Sequence, residues 1–128
     1  MKIMTIHADY IEVEPKQKAI KDAEEAKPEK KRYEEVLVVF SSVEQGDEDA
    51  ALVAKKTAEE IDKVAKQLKV KNILIYPLVH LTSKPSSPRV ALAVLKKTEE
   101  DVKAMGYEAD HSPFGWYKGY TLKCKGHP

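Results

Sequence analysis

Cysteine is almost absent from this 128-residue chain. Cys124 stands alone, so no internal disulfide can form, and a chain of this length does not need one. Arginine is nearly missing too: only Arg32 and Arg89 occur, and the other basic residues are lysines. No apolar run approaches the roughly 20 residues of a membrane span. The opening MKIMTI is too short for a signal-peptide core, and no small-residue cleavage site follows it. A cytoplasmic protein with no membrane partner is expected. Nucleotide-cradling glycine patterns (GxxxxGK[ST], GxGxxG), the GxSxG elbow and HExxH are all absent, which leaves those modes of chemistry without support. Internal repeats and low-complexity tracts are likewise missing. From His111 to Pro128 there is no acidic residue, while Lys118, Lys123 and Lys125 stand there with His111 and His127.

What remains describes a globular protein. Hydrophobic residues make up 42% of the chain and charged residues 34%, which argues against disorder. The length suits one compact domain over residues 1–128. The net charge is +1, too balanced for a protein that coats nucleic acid by bulk charge. A Lys/Glu-rich surface of this kind is compatible with high temperature.

Periodicity orders the elements. Residues 2–7 (KIMTIH) and 10–14 (YIEVE) read as two strands, with Ala8-Asp9 as a tight connection or bulge. Residues 15–34 carry two prolines among many charges and read as a polar excursion with a helical turn around 18–26. Residues 35–43 (EVLVVFSSV) suit an interior strand. A helix is predicted from about Glu48 to Lys69, with Asp47 as cap and Ala54, Ala58, Ile61, Val64, Ala65 and Leu68 as its apolar stripe. Residues 72–76 (NILIY) form another buried strand, which Pro77 ends. Ser87-Pro88 starts a helix running to about Met105, with Ala91, Val94, Leu95, Val102 and Met105 facing inward and Gly106 as its stop. Short strands follow over Tyr107–Asp110 and Trp116–Lys125, joined by the turn Ser112-Pro113-Phe114-Gly115. The order implies an α/β (α+β) fold, a mixed sheet with two main helices packed on it.

The last strand carries the most informative residue. At a period of two, Trp116, Lys118, Tyr120, Leu122 and Cys124 share a face, so one ammonium group is aimed with aromatic and apolar side chains. Such a lysine either snorkels at a sheet edge or serves a pocket, where it binds an anion, stabilises an oxyanion or moves a proton. Cys124 shares the parity of Leu122 and reads as a packing residue. His80 follows a strand end, where α/β proteins place their sites, and it either orients a water or satisfies loop backbone. His7 ends the first strand and carries the same two readings. Cys124 and His127 lie three apart, but no second ligand pair has metal spacing, so no metal site is expected.

Three stretches go further together. IHADY (6–10), YPLVHLTS (76–83) and SPFGWYKGYTLKCKGHP (112–128) resemble, in order and across the whole chain, the N-terminal editing domain of archaeal threonyl-tRNA synthetases. The family pattern has serine where Ala8 stands, as IHSDY, so this chain offers no hydroxyl there. The resemblance implies a fold similar to D-aminoacyl-tRNA deacylases, a homodimer and no cofactor. It implies catalytic and anticodon-binding domains of the synthetase in cis or in trans. It places an acidic residue associated with the site beyond Pro128. The implied reaction is hydrolysis of L-seryl-tRNA(Thr), the mischarged product, to serine and tRNA(Thr). Residues matching the family's pocket are Tyr117, Lys118 and His80. The backbone of Pro77, Leu78 and Val79 would hold the aminoacyl group, and Val43 and Glu44 would sit near the terminal adenosine. His7, Phe114 and Trp116 complete the expected substrate-binding set. Two readings from other classes stay open: a D-aminoacyl-tRNA deacylase acting as a chiral proofreader, and a non-catalytic tRNA-binding appendage.

Overall fold

The computed structural model describes residues 1–127; Pro128, the last residue of the expected domain, lies outside them. The element order is β1 (Lys2–Lys18), β2 (Lys31–Ser42), α1 (Ala50–Leu68), β3 (Asn72–Pro77), a short 3₁₀ turn (Val79–Leu81), α2 (Pro88–Ala104), β4 (Glu108–His111) and β5 (Trp116–Cys124). The strands form one mixed sheet in the order β4-β3-β2-β1-β5. β2, β3 and β4 are parallel, whereas β1 runs antiparallel to both β2 and β5. This is the α/β architecture that the strand–helix alternation implies. Among the described residues no helix is long and apolar enough to cross a membrane.

Alternation in β2 and β3 divides two cores. Leu37, Val39, Ile73 and Ile75 face α1 and α2, meeting Ala58, Ile61, Ala65, Val94 and Val102. Val36, Val38, Phe40, Leu74 and Tyr76 face the other way, toward Ala8, Ile11 and Val13 of β1. Neither α1 nor α2 contributes to this second core; the sheet closes over it by curling. In a flat sheet β3 and β5 would be about three strand spacings apart, roughly 14 Å. Instead the Tyr120 ring lies 5.6 Å from Tyr76 and 5.7 Å from Phe40, centroid to centroid. The bend is built into β1 and β2. Asp9 and Glu35 both drop out of the pairing register, and Glu35 takes a φ of 46°. Lys125 Nζ spans them, 2.6 Å from Asp9 Oδ1 and 2.8 Å from Glu35 Oε2. Extra residues of this kind turn a strand and sharpen its twist.

Several expectations need correction. The two N-terminal strands are one long strand: of the two forms expected at Ala8-Asp9, the structure has the bulge and not the tight connection. β1 continues through Pro15 to Lys18 and β2 starts at Lys31, so the polar excursion shrinks to residues 19–30, without a helix. The cap of α1 is Asp49, whose side chain accepts from Leu52 N; Asp47 instead accepts from Glu44 N and pairs with the Met1 amino group at 2.7 Å. Met105 ends α2 and is 43% exposed, since the chain turns away from the core at Gly106. Cys124 is exposed, as the last residue of β5, an edge strand. The fourth strand is shifted by one residue, to Glu108–His111.

Candidate functional site

Parallel strands β2 and β3 end side by side, and the chain breaks from both at the same level. Pro77 lacks an N–H and ends β3. The next residue turns back: Leu78 N donates to Ser41 O at 2.8 Å, and Ser42 Oγ donates to Leu78 O. Farther on, Ser86 N donates to Val43 O at 3.0 Å, bringing the start of α2 beside the end of β2. Ser87 caps that helix by accepting from Val90 N, with Pro88 in the first turn. From the opposite side the 112–116 turn and the first residues of β5 close the space. The result is a cleft of about 380 Å³.

This cleft gathers nine of the residues singled out in the sequence: Val43, Pro77, Leu78, Val79, His80, Phe114, Trp116, Tyr117 and Lys118. Val79 and Tyr117 stand at its mouth, 52% and 58% exposed, and His80 is exposed beside Val79. Two expected residues do not line it. Glu44 sits just behind, accepting from Thr82 Oγ1 at 2.6 Å and pairing with the Met1 amino group at 3.2 Å. It braces the loop that carries His80. His7 lies elsewhere on β1; its Nδ1 is 2.7 Å from His127 Nε2, and the two rings stack 4.9 Å apart. Burial, then the nearby charges of His127 and Lys125, holds the His7 pKa below its usual value.

Lys118 occupies the inner end of the cleft. Its Nζ donates to Pro113 O at 2.8 Å and to Ser112 Oγ at 3.2 Å, and lies 4.5 Å from the centroid of the Tyr76 ring. Burial lowers its pKa from 10.5 to about 8, against a smaller opposing pull from Glu24. No carboxylate pairs with this ammonium among the described residues, which is why desolvation dominates. An ammonium has three donors, and two are spent on Pro113 and Ser112. The third is available to a ligand oxygen. The ring face of Tyr76 attracts the cation through its quadrupole. Tyr76 itself is buried, which pushes its phenol up to about 12, so it stays neutral.

Ser112, Pro113 and Tyr76 are contributions that residue-type reasoning missed. Ser112 stood in the quoted SPFG turn but was read as a turn residue only; it is in fact 1% exposed and aimed at Lys118. Ala19 and Ile20 also line the cleft, from a stretch read as a polar excursion. Their signal was the apolar pair Ala19-Ile20 inside a charged run.

One cluster outside the cleft has metal-ligand chemistry: Glu99, Asp110 and His111 place ligand atoms within 4.8 Å of one another. Its charges are already matched. Both His111 nitrogens face carboxylates, Glu99 and Glu24, while Lys103 pairs with Glu99 and Lys31 with Asp110.

Comparison with known proteins identifies the family. The family model for the archaea-specific editing domain of threonyl-tRNA synthetase matches residues 1–128. The threonine–tRNA ligase of Thermococcus gammatolerans is 49% identical over 131 residues, covering 100% of this chain and 21% of its own. That of Methanocaldococcus jannaschii is 48% identical over 129 residues, with the same coverage, and that of Thermococcus sibiricus is 47% identical over 131. The chain thus spans about a fifth of the length of these relatives. With a family match along its whole length and relatives 47–49% identical over all of it, the chain belongs to the archaea-specific editing domains of threonyl-tRNA synthetase.

Proposed function

We propose that this chain hydrolyses the ester of L-seryl-tRNA(Thr), releasing serine and tRNA(Thr). The observation that carries the reading is Lys118: a desolvated amine at the inner end of a cleft, with one N–H free for a ligand. In the reaction, water oxygen bonds to the acyl carbon, the ester C–O bond breaks, and a proton ends on the ribose oxygen. Negative charge develops on the acyl oxygen on the way. With a pKa near 8, Lys118 is mostly an ammonium at neutral pH, suited to receiving that charge. Its remaining amine fraction suits it to holding the water. His80 and Tyr117, at the mouth, hold substrate or water by hydrogen bonds. The backbone of Pro77, Leu78 and Val79 takes the aminoacyl group, and Val43 takes part in seating the terminal adenosine. A ribose hydroxyl of the tRNA assists. No metal enters the reaction.

The need for such a site follows from chemistry. Serine and threonine differ by one methyl, worth only about 1–3 kcal/mol to a binding pocket. A synthetic site therefore mischarges, and a second site removes the smaller product. We place the chain as one domain of a cytoplasmic synthetase, working with the catalytic and anticodon-binding domains in cis or in trans, and as a homodimer.

The test is a deacylation time course with seryl- and threonyl-tRNA(Thr), wild type beside Lys118→Met. Loss of the seryl ester that depends on Lys118 supports the reading. Hydrolysis of D-tyrosyl-tRNA with seryl-tRNA(Thr) untouched would overturn it in favour of chiral proofreading.

A further inference from the structure

Residues 19–24 form a strap across the turn that precedes β5. Ala19 N donates to Gly115 O at 2.7 Å and Glu24 N to Phe114 O at 2.9 Å. Gly115 is what allows this closeness: its φ is 80°, and a Cβ there would lie 2.9 Å from Ala23 Cα. Glu24 makes the remaining ties itself. Its Oε1 accepts from Phe114 N at 3.0 Å, and its carbonyl accepts from Trp116 Nε1 at 2.7 Å. Its Oε2 lies 2.6 Å from His111 Nε2. The other imidazole nitrogen, Nδ1, meets Glu99 of α2. One carboxylate thus touches the backbone of a cleft-lining residue and, through one imidazole, the helix behind it.

We propose that Glu24 is a positioning residue for the cleft: it holds the Phe114–Lys118 wall against α2 through protonated His111, and so sets where the Lys118 ammonium stands. The proposal deepens the deacylation reading above and rests on it for its kinetic consequence. The charged and titratable groups around His111 favour its cationic form. Glu24 comes from the strap and Glu99 from α2, with Lys103 beyond it; Asp110 precedes it on β4, held by Lys31 and Tyr33 of β2. From β5, Lys118 donates to Ser112 Oγ and Pro113 O beside His111, and its charge is felt by Glu24. When His111 loses its proton, one of its two nitrogens becomes an acceptor facing a carboxylate, and one tie must open. Whichever opens, the strap is no longer fastened to α2, and the wall carrying Phe114, Trp116 and Lys118 is free to shift.

Trp116 is the only tryptophan in the chain, so its emission reports directly on this wall. The experiment compares wild type, Glu24→Gln, Glu24→Ala and His111→Gln by steady-state kinetics on seryl-tRNA(Thr), Trp116 emission against pH, and far-UV circular dichroism. Glu24→Gln keeps an acceptor for Phe114 N and removes the charge that holds His111. We expect its kcat to fall about tenfold or more, with KM changing less. Trp116 emission in wild type should shift to the red as pH rises through the His111 titration. In Glu24→Gln and His111→Gln the emission should already be shifted and should not respond in that range. A merely structural glutamate would leave the pH response intact in Glu24→Gln, and that result overturns the proposal. So does wild-type kcat in a folded Glu24→Gln. Should Glu24→Ala fail to fold, Glu24→Gln decides alone. Should wild type leave seryl-tRNA(Thr) intact, the deacylation reading fails, and the pH response of Trp116 still decides whether Glu24 fastens the wall.

Discussion

Lys118 Nζ lies 4.5 Å from the centroid of the Tyr76 ring, joining the first turn of β5 to the end of β3, two strands that β1 and β2 separate in the sheet. Curling of the sheet makes that contact, and the contact makes the cleft. The cation is buried against an aromatic face and two neutral oxygens, with no carboxylate bound to it, and its proton is correspondingly loosely held.

Replacing this lysine separates activity from stability. In Lys118→Met, deacylation of seryl-tRNA(Thr) should fall by about 100-fold, the scale of losing one oxyanion donor. Stability at pH 7 should hold or rise, because the desolvated ammonium is removed while its apolar stem is kept. Single-turnover deacylation and urea unfolding measure the two effects. A variant with normal turnover would remove Lys118 from the chemistry.

His80 is exposed, so His80→Ala should change unfolding free energy by no more than about 0.5 kcal/mol. Its deacylation rate should still drop, by about tenfold or more, if the imidazole holds substrate or water. Unchanged kcat and KM would exclude the residue from the site.

Gly115→Ala should destabilise the protein by about 1–3 kcal/mol. It forces a non-glycine residue to a φ of 80° and drives Cβ to 2.9 Å from Ala23 Cα, which is backbone and cannot swing aside. The strap should lift, and KM for seryl-tRNA(Thr) should rise together with a red shift in Trp116 emission. Thermal unfolding and the kinetics of the same preparation provide the check.

His111 and Lys118 should pull stability in opposite directions as pH rises. His111 has its pKa raised above 6.5, with burial opposed and outweighed by Glu24 and Glu99. The folded state therefore keeps its proton longer than the unfolded chain. That stabilisation is complete below 6.5 and is lost as pH climbs through the folded value. Lys118 acts in the opposite sense. Its folded pKa is about 8 against 10.5, so between these values the unfolded chain binds more protons and stability grows with pH. The span corresponds to about 3 kcal/mol. Urea midpoints measured from pH 6 to 10.5 should show the rise in wild type and not in Lys118→Met, whereas His111→Gln should lack the fall.

Much of the fold is legible from local patterns. The parallel strands and both helices follow from apolar alternation and three-four spacing, since burial on both faces of β2 and β3 demands continuous apolar runs. Ser87-Pro88 marks the start of α2 because capping is a local interaction. Three features escaped local reasoning. The joining of residues 2–18 into one strand depends on pairing with β2 on one side and with β5, about a hundred residues away, on the other. The exposure of Cys124 depends on β5 being an edge. The strap at 19–24 is polar in composition, and only its partners Phe114, Gly115 and Trp116 give it a fixed path.

By itself, the order of residues determined the buried parallel strands, the two helices, the family and the inward parity of Lys118, because each depends on neighbours close along the chain or on motifs carried whole. Tertiary structure alone decided that Lys118 meets Tyr76, Ser112 and Pro113, that Glu24 and His111 fasten the wall beside it, and that His7 stays outside the cleft. Those relationships arise from the curl of the sheet, a property of how distant strands pair, and no short segment encodes it.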